Sequence, residues 1–157
     1  MGLIRKSFVI IILISIFFSC SSDDTPQNRV LIFGWYADSL CGGDCSQIYK
    51  IDSEKVFKDI DFNYPEGNYF EGNFKEITTA NYKDIVVLLD QLPEELLSEP
   101  NGYLDCSDCT DERGGFYLEY STDRIHKTWR FRNAQYPSYI ENYRSLLLDK
   151  IAELNSN

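Results

Sequence analysis

Four cysteines stand in two close pairs, Cys41-Gly42-Gly43-Asp44-Cys45 and Cys106-Ser107-Asp108-Cys109. Cys-x3-Cys with Cys-x2-Cys supplies the ligand count of a zinc–thiolate centre. The same residues could form structural disulfides, or one pair could exchange disulfides with a substrate. Exchange requires a thiolate stabilised by a cation or a helix N-terminus. Asp105, Asp108, Asp111 and Glu112 surround the second pair instead, and their charge disfavours a thiolate. That acidic run lacks the alternating oxygen ligands of a calcium loop, so it reads as a solvated turn.

His126 is the single histidine. No serine motif or strained nucleophile turn accompanies it, and the sequence has no phosphate loop, no dinucleotide glycine pattern and no His-Glu-x-x-His. The expectation is therefore a chain with no catalytic residue, no cofactor-binding residue and no dedicated metal site. The 11 tyrosines, with Trp35 and Trp129, could line a binding face. Filling a core of modest aliphatic content is the simpler assignment.

A fifth cysteine fixes the expected compartment. Arg5 and Lys6 precede an apolar run over residues 8–18, and small Ser19 stands before Cys20. This is the pattern of a secretory signal, too short for a spanning helix. Ser15-Ile16-Phe17-Phe18-Ser19-Cys20 resembles the lipobox of bacterial lipoproteins. The resemblance implies cleavage before Cys20 and a lipid on that cysteine. The expected organisation is a signal over residues 1–19, a lipidated stalk over 20–29 and one α+β domain over 30–157.

Residues 21–28 are small, polar and acidic, which suits a stalk that buries nothing. Acidic residues just after the lipidated cysteine resemble a surface-export signal of the Bacteroidota. The expected location is thus the outer membrane, on its periplasmic face or at the cell surface, with several acyl chains as the tether. An exported chain meets oxidising conditions, which favours disulfides at Cys41, Cys45, Cys106 and Cys109 over a metal. Connectivity stays open: bonds within the motifs would stabilise by about 2 kcal/mol each, and one between them by about 4 kcal/mol.

Charge narrows the partners. The chain carries −10 at neutral pH, and loss of Arg5 and Lys6 with the signal takes it to about −12. Nucleic acid and anionic lipid surfaces both need basic patches and are excluded as partners. A basic protein or envelope component would be attracted.

The elements that must position these residues follow from periodicity. Residues 30–36 are β-branched and aromatic and predict a buried strand; 47–51 and 56–62 predict two more. Residues 64–73 hold Pro65, Gly67 and Gly72 and predict a loop, with an edge strand into Ile77. Thr79 is placed to cap a helix over 80–92, Pro93 to end it and open a turn at 94–97. Phe116, Leu118 and Tyr120 alternate with Tyr117 and Glu119. Ile125, Trp129 and Phe131 alternate with His126, Thr128 and Arg130. The two runs predict a hairpin with one face on the core and the other, polar face in water. His126→Ala is then expected to cost less than about 0.5 kcal/mol, as at an ordinary surface position. A last helix is predicted from Ser138, with Glu141 completing a capping box. The fold class is α+β: an antiparallel sheet with about two main helices packed on one face.

Residues 41–51 look like the Cys-x-Gly-x-Cys-Pro-x-Tyr opening of small uncharacterised bacterial lipoproteins, many from the Bacteroidota. Cys106-Ser107-Asp108-Cys109-Thr110-Asp111 and Gly114-Gly115 are similar to a Cys-Pro-Asp-Cys-Ala-Asp-Gly-Gly segment of the same proteins. Ser46 and Ser107 stand where those motifs have proline, and Glu112-Arg113 are inserted. The resemblance spans most of residues 30–154 and implies class and location, without an activity. The resulting expectation is a monomeric, membrane-tethered module that binds a protein or envelope component. The alternative is a thiol–disulfide or metal-handling protein built on the two cysteine motifs.

Overall fold

A computed structural model describes residues 28–37, 41, 45–52, 54–62, 64–65, 67, 69–78, 80–106, 109 and 114–156. The β-branched and aromatic run predicted as a buried strand forms β1, Val30–Tyr36, near the middle of a sheet. It pairs antiparallel with β2, Ser46–Ile51, on one side, and with β6, Gly115–Ser121, on the other. Beyond β2 lie β3, Val56–Asp59, and the short edge strand β4, Phe74–Glu76. Beyond β6 lies β7, His126–Phe131, then two-residue β5, Gly102–Tyr103, which pairs with β7 in parallel. The order of the seven strands is β4-β3-β2-β1-β6-β7-β5.

One face of this sheet carries the main core. Leu31, Phe33, Tyr49, Leu118, Trp129 and Phe131 meet buried residues of the helical segments. The α+β class holds, with the sheet dominant and the helices short. The predicted helix over 80–92 is two single-turn pieces, α1 (Tyr82–Ile85) and α2 (Val87–Asp90), broken at Val86. The successive β-branched residues Ile85, Val86 and Val87 crowd the preceding turn and explain the weak helix. Its cap is Asn81, whose side chain accepts from the Lys83 amide; Thr79 lies outside the described residues. The turn after Pro93 is α3, Glu94–Ser98.

The last helix, α4, spans Glu141–Asn155 and buries Tyr143, Leu147, Ile151 and Leu154 at helical spacing. Its start departs from the predicted capping box. Ser138–Ile140 already forms a 3-10 turn behind Pro137, with no side-chain cap bond, so the Ser138 hydroxyl is not in the extended cap position. The far end of α4 is tied down by polar contacts. Asn155 accepts from the Tyr49 hydroxyl at 2.6 Å and donates to Gln47 at 2.5 Å, and Gln47 also accepts from Trp35 at 3.0 Å.

The β6–β7 hairpin closes as expected through Thr122, whose hydroxyl accepts from the amides of Arg124 and Ile125. The solvent-facing role assigned to its polar side is overturned. Tyr117, Glu119, Thr128 and Arg130 are all buried. The described residues between Tyr64 and Asn73 cover this second face as a strap and bury Phe70 against Ile32, Ile48 and Tyr117. Period-two alternation reports polarity, and here Glu119 and Arg130 bond the strap's backbone while Tyr117 donates to Glu119.

Candidate functional site

Two places gather residues able to do more than fill space: the end of the sheet that carries the cysteines, and the strapped face. At the first, β1 ends at Tyr36, which pairs with Ser46 at the start of β2 and with Gly115 at the start of β6. The Ala37 amide donates to the Cys45 carbonyl at 2.7 Å, carrying the β1–β2 ladder one step further. The loop of Cys41 and Cys45 and the segment from Cys106 to Gly115 therefore both adjoin this end.

Each cysteine sits at disulfide distance from the other member of its own motif. Cα–Cα separations are 5.6 Å for Cys41–Cys45 and 5.5 Å for Cys106–Cys109. The bridge between motifs, which chain entropy alone would favour, is not formed, because each pair closes locally instead. Among the described residues no group of three or more His, Cys, Asp or Glu is placed to hold a metal ion. Cys20 and the acidic Asp44, Asp108, Asp111 and Glu112 lie outside the described residues. Asp105 is described, with its carbonyl accepting from the Gln135 side chain at 3.0 Å. Non-reducing peptide mapping is expected to give two self-contained cystine peptides, and a peptide joining the two motifs would refute the local pairing.

On the strapped face, the Glu119 carboxylate is only 5 % exposed and accepts from three donors. The Phe70 amide donates at 2.8 Å, the Tyr117 hydroxyl at 2.5 Å, and His126 Nε2 lies 2.7 Å from Oε1. Burial pushes the Tyr117 phenol well above its ordinary range, and its bond to Glu119 adds to the shift. Arg130, 6 % exposed, donates through Nη2 to the carbonyls of Pro65 at 2.8 Å and Gly67 at 2.6 Å. Its guanidinium lies 5.3 Å from the Tyr117 ring centre. Asp59, also buried, accepts from the Asn73 amide at 2.8 Å.

His126 marks the rim. Its side chain is 42 % exposed, and its ring stacks on Tyr69 at 3.6 Å between centroids. A carboxylate behind an imidazole orients the ring as a base would be oriented. The hydrogen bond shown for His126 runs to Glu119. The geometry suits fastening: His126 holds Glu119 and Tyr69, and Glu119 holds the strap.

The small cost expected for losing His126 from a plain surface position is therefore revised upward. His126→Ala should lower stability by about 1–2 kcal/mol, since Glu119 Oε1 loses a donor and Tyr69 its stacking partner. A urea melt measures this, and a change below about 0.5 kcal/mol would restore the surface reading.

Glu119, Arg130 and Tyr69 are the residues that sequence reasoning missed. The signal was in the loop, where Tyr64, Tyr69 and Phe70 sit among Pro65, Gly67 and Gly72. A loop so rich in aromatics has apolar area to bury and needs a surface to bury it on.

The chain matches no family model, and comparison with curated proteins and with solved structures finds no significant similarity.

Proposed function

We propose that this chain is a lipid-anchored envelope lipoprotein that works as a non-catalytic binding module and presents its cystine-bearing end to a partner. The observation that carries the reading is the polarity of β1. The expected stalk joins β1 at Val30, beside Arg29, which is held by Asp90 at 2.8 Å and by the Leu89 carbonyl. The loops with Cys41–Cys45 and Cys106–Cys109 adjoin its other end at Tyr36. Seven strand residues separate the two ends by about 20 Å, so a tether at one end leaves the other facing away from the membrane.

Local cystines suit this role because they stiffen the loops they close and lower the ordering cost of contact. The acidic residues between and beside them, Asp44, Asp105, Asp108, Asp111 and Glu112, favour a cationic partner. The resemblance to small Bacteroidota lipoproteins and the lipobox-like run before Cys20 support the anchor and the outer-membrane location.

Cys20→Ser is expected to abolish lipid labelling and move the protein from the membrane to the soluble fraction. A wild-type protein that is soluble, unlipidated and begins elsewhere would refute the anchored reading. Thiol titration separates the binding module from the alternative. Cysteines that stay oxidised under mild reductant support the module, while a pair cycling reversibly, or thiols holding zinc, would favour thiol exchange or metal handling.

A further inference from the structure

The strap over the second sheet face is held in an unusual way for a permanent cover. Apart from Asn73, whose carbonyl accepts from the Ile60 amide beyond β3, its backbone is bonded by side chains of that face. Arg130 donates to the Pro65 and Gly67 carbonyls, and Glu119 accepts from the Phe70 amide. A guanidinium for carbonyls and a carboxylate for an amide are complementary to peptide backbone, here one that bends at Gly67. The Phe70 ring is set among Ile32, Ile48 and Tyr117, and Tyr64 packs on Tyr36 of the same cluster.

The floor beneath is also too polar for a face meant to stay covered. Buried charges are commonly no more stabilising than apolar residues of similar size, and are costly when one partner is lost. Glu119, Thr128 and Arg130 are spread among the apolar positions, so water can hydrate this face when the strap lifts. The outermost fastening, the Tyr69–His126 stack, is half exposed.

We propose that residues 64–73 are a displaceable strap that fills, in cis, a groove for a peptide segment that bears an aromatic side chain and takes the strap's bent course at Gly67. The strap is the groove's own competitor: Phe70 occupies the aromatic subsite, while Glu119 holds its amide and Arg130 holds the backbone before it. Its high effective concentration keeps the groove closed to weak ligands. A partner binds only as tightly as the open fraction allows, so loosening the strap raises apparent affinity. With a chain charge of −10, a neutral or basic partner segment is favoured over an acidic one. This site is separate from the cystine-bearing end, goes beyond the binding reading given for that end, and does not depend on lipid anchoring.

The test uses the full chain and a fluorescent decapeptide with the sequence of residues 64–73. Saturable binding is expected to Phe70→Ala, at least about tenfold tighter than to wild type, with no binding of a scrambled peptide. Tyr69→Ala, which weakens the rim and leaves the floor intact, should bind with an intermediate affinity, and carries the test if Phe70→Ala does not fold. Absence of binding to a variant that retains a cooperative melt would overturn the proposal, as would equal binding of the scrambled peptide. Neither result would bear on the fractionation of the Cys20→Ser protein, so the groove and the anchor fail separately.

Discussion

Gly34→Ala is expected to cost about 3 kcal/mol or more, enough to unfold a domain of ordinary stability at physiological temperature. Gly34 lies in the middle of β1, paired with Ile48 on one side and Tyr117 on the other. A Cβ built there would overlap the Gln47 carbonyl oxygen and stand 2.8 Å from the Ile48 Cα. Both obstacles are backbone atoms of a strand fixed by the β1–β2 and β2–β3 ladders, so no rotamer change makes room. The strand must move, and with it the contacts of Phe33 and Ile48 on the two faces. Gly67 provides the contrast. Its φ is +72° with open space around it, so Gly67→Ala should show only a backbone penalty of about 1 kcal/mol. Urea melts of both variants give the comparison, and a Gly34→Ala midpoint close to wild type would mean that β1 and β2 separate more easily than their register implies.

Gly34 also illustrates where the sequence was legible. The run Val30-Leu31-Ile32-Phe33 predicts a buried strand, and nothing in that prediction depends on what lies beside it. The same is true of the β6–β7 hairpin, where alternation and the Thr122 turn set the register locally. The closeness of β1 to β2 at Gly34 is a property of two strands together, and no local pattern encodes it. The helix over 80–92 failed for a related reason. Its apolar spacing was correct, since Ile85, Leu88 and Leu89 are buried, but the β-branched run at Ile85, Val86 and Val87 divides it into single turns.

The strapped face was the larger misreading, and its cause is physical. Glu119 and Arg130 are residues a solvated strand face would carry, and the same types serve a face covered by another part of the backbone. Thr128 donates its amide to Asn101, and Arg130 reaches Pro65, a residue far off in the chain. Only the aromatic content of residues 64–73 hinted that this loop needed a surface. The cysteines were legible as motifs and not as partners: spacing allowed local or long-range closure, and the local geometry decided it.

Alkali is expected to unfold this protein cooperatively, beginning above about pH 10, the ordinary titration range of tyrosine. Several phenols are held protonated by the fold. Tyr49 is pushed up to about 12 by burial, and Tyr143 higher still by the same cause while its hydroxyl donates to the Leu88 carbonyl at 2.8 Å. Tyr117 and Tyr139 are raised by burial first, and then by the carboxylates of Glu119 and Glu99, to which they donate. Below pH 10 these groups are neutral in both states and contribute no pH dependence. Above it, the unfolded chain releases phenolic protons that the folded chain retains, so the folded state binds more protons and stability falls as pH rises. Each tyrosine held neutral steepens the loss by about 1.4 kcal/mol per pH unit. Phenolate absorbance and circular dichroism, followed together from pH 8 to 12, should show an exposed fraction titrating first. The remaining phenolate should then appear in step with loss of the sheet signal. Tyr139→Phe removes one such group where its ring is only partly buried, and should shift the midpoint to higher pH. All 11 tyrosines titrating near pH 10 with the sheet intact would show that the core phenols reach water without unfolding, and would contradict the packing of Tyr143 beneath α2 and of Tyr117 beneath the strap.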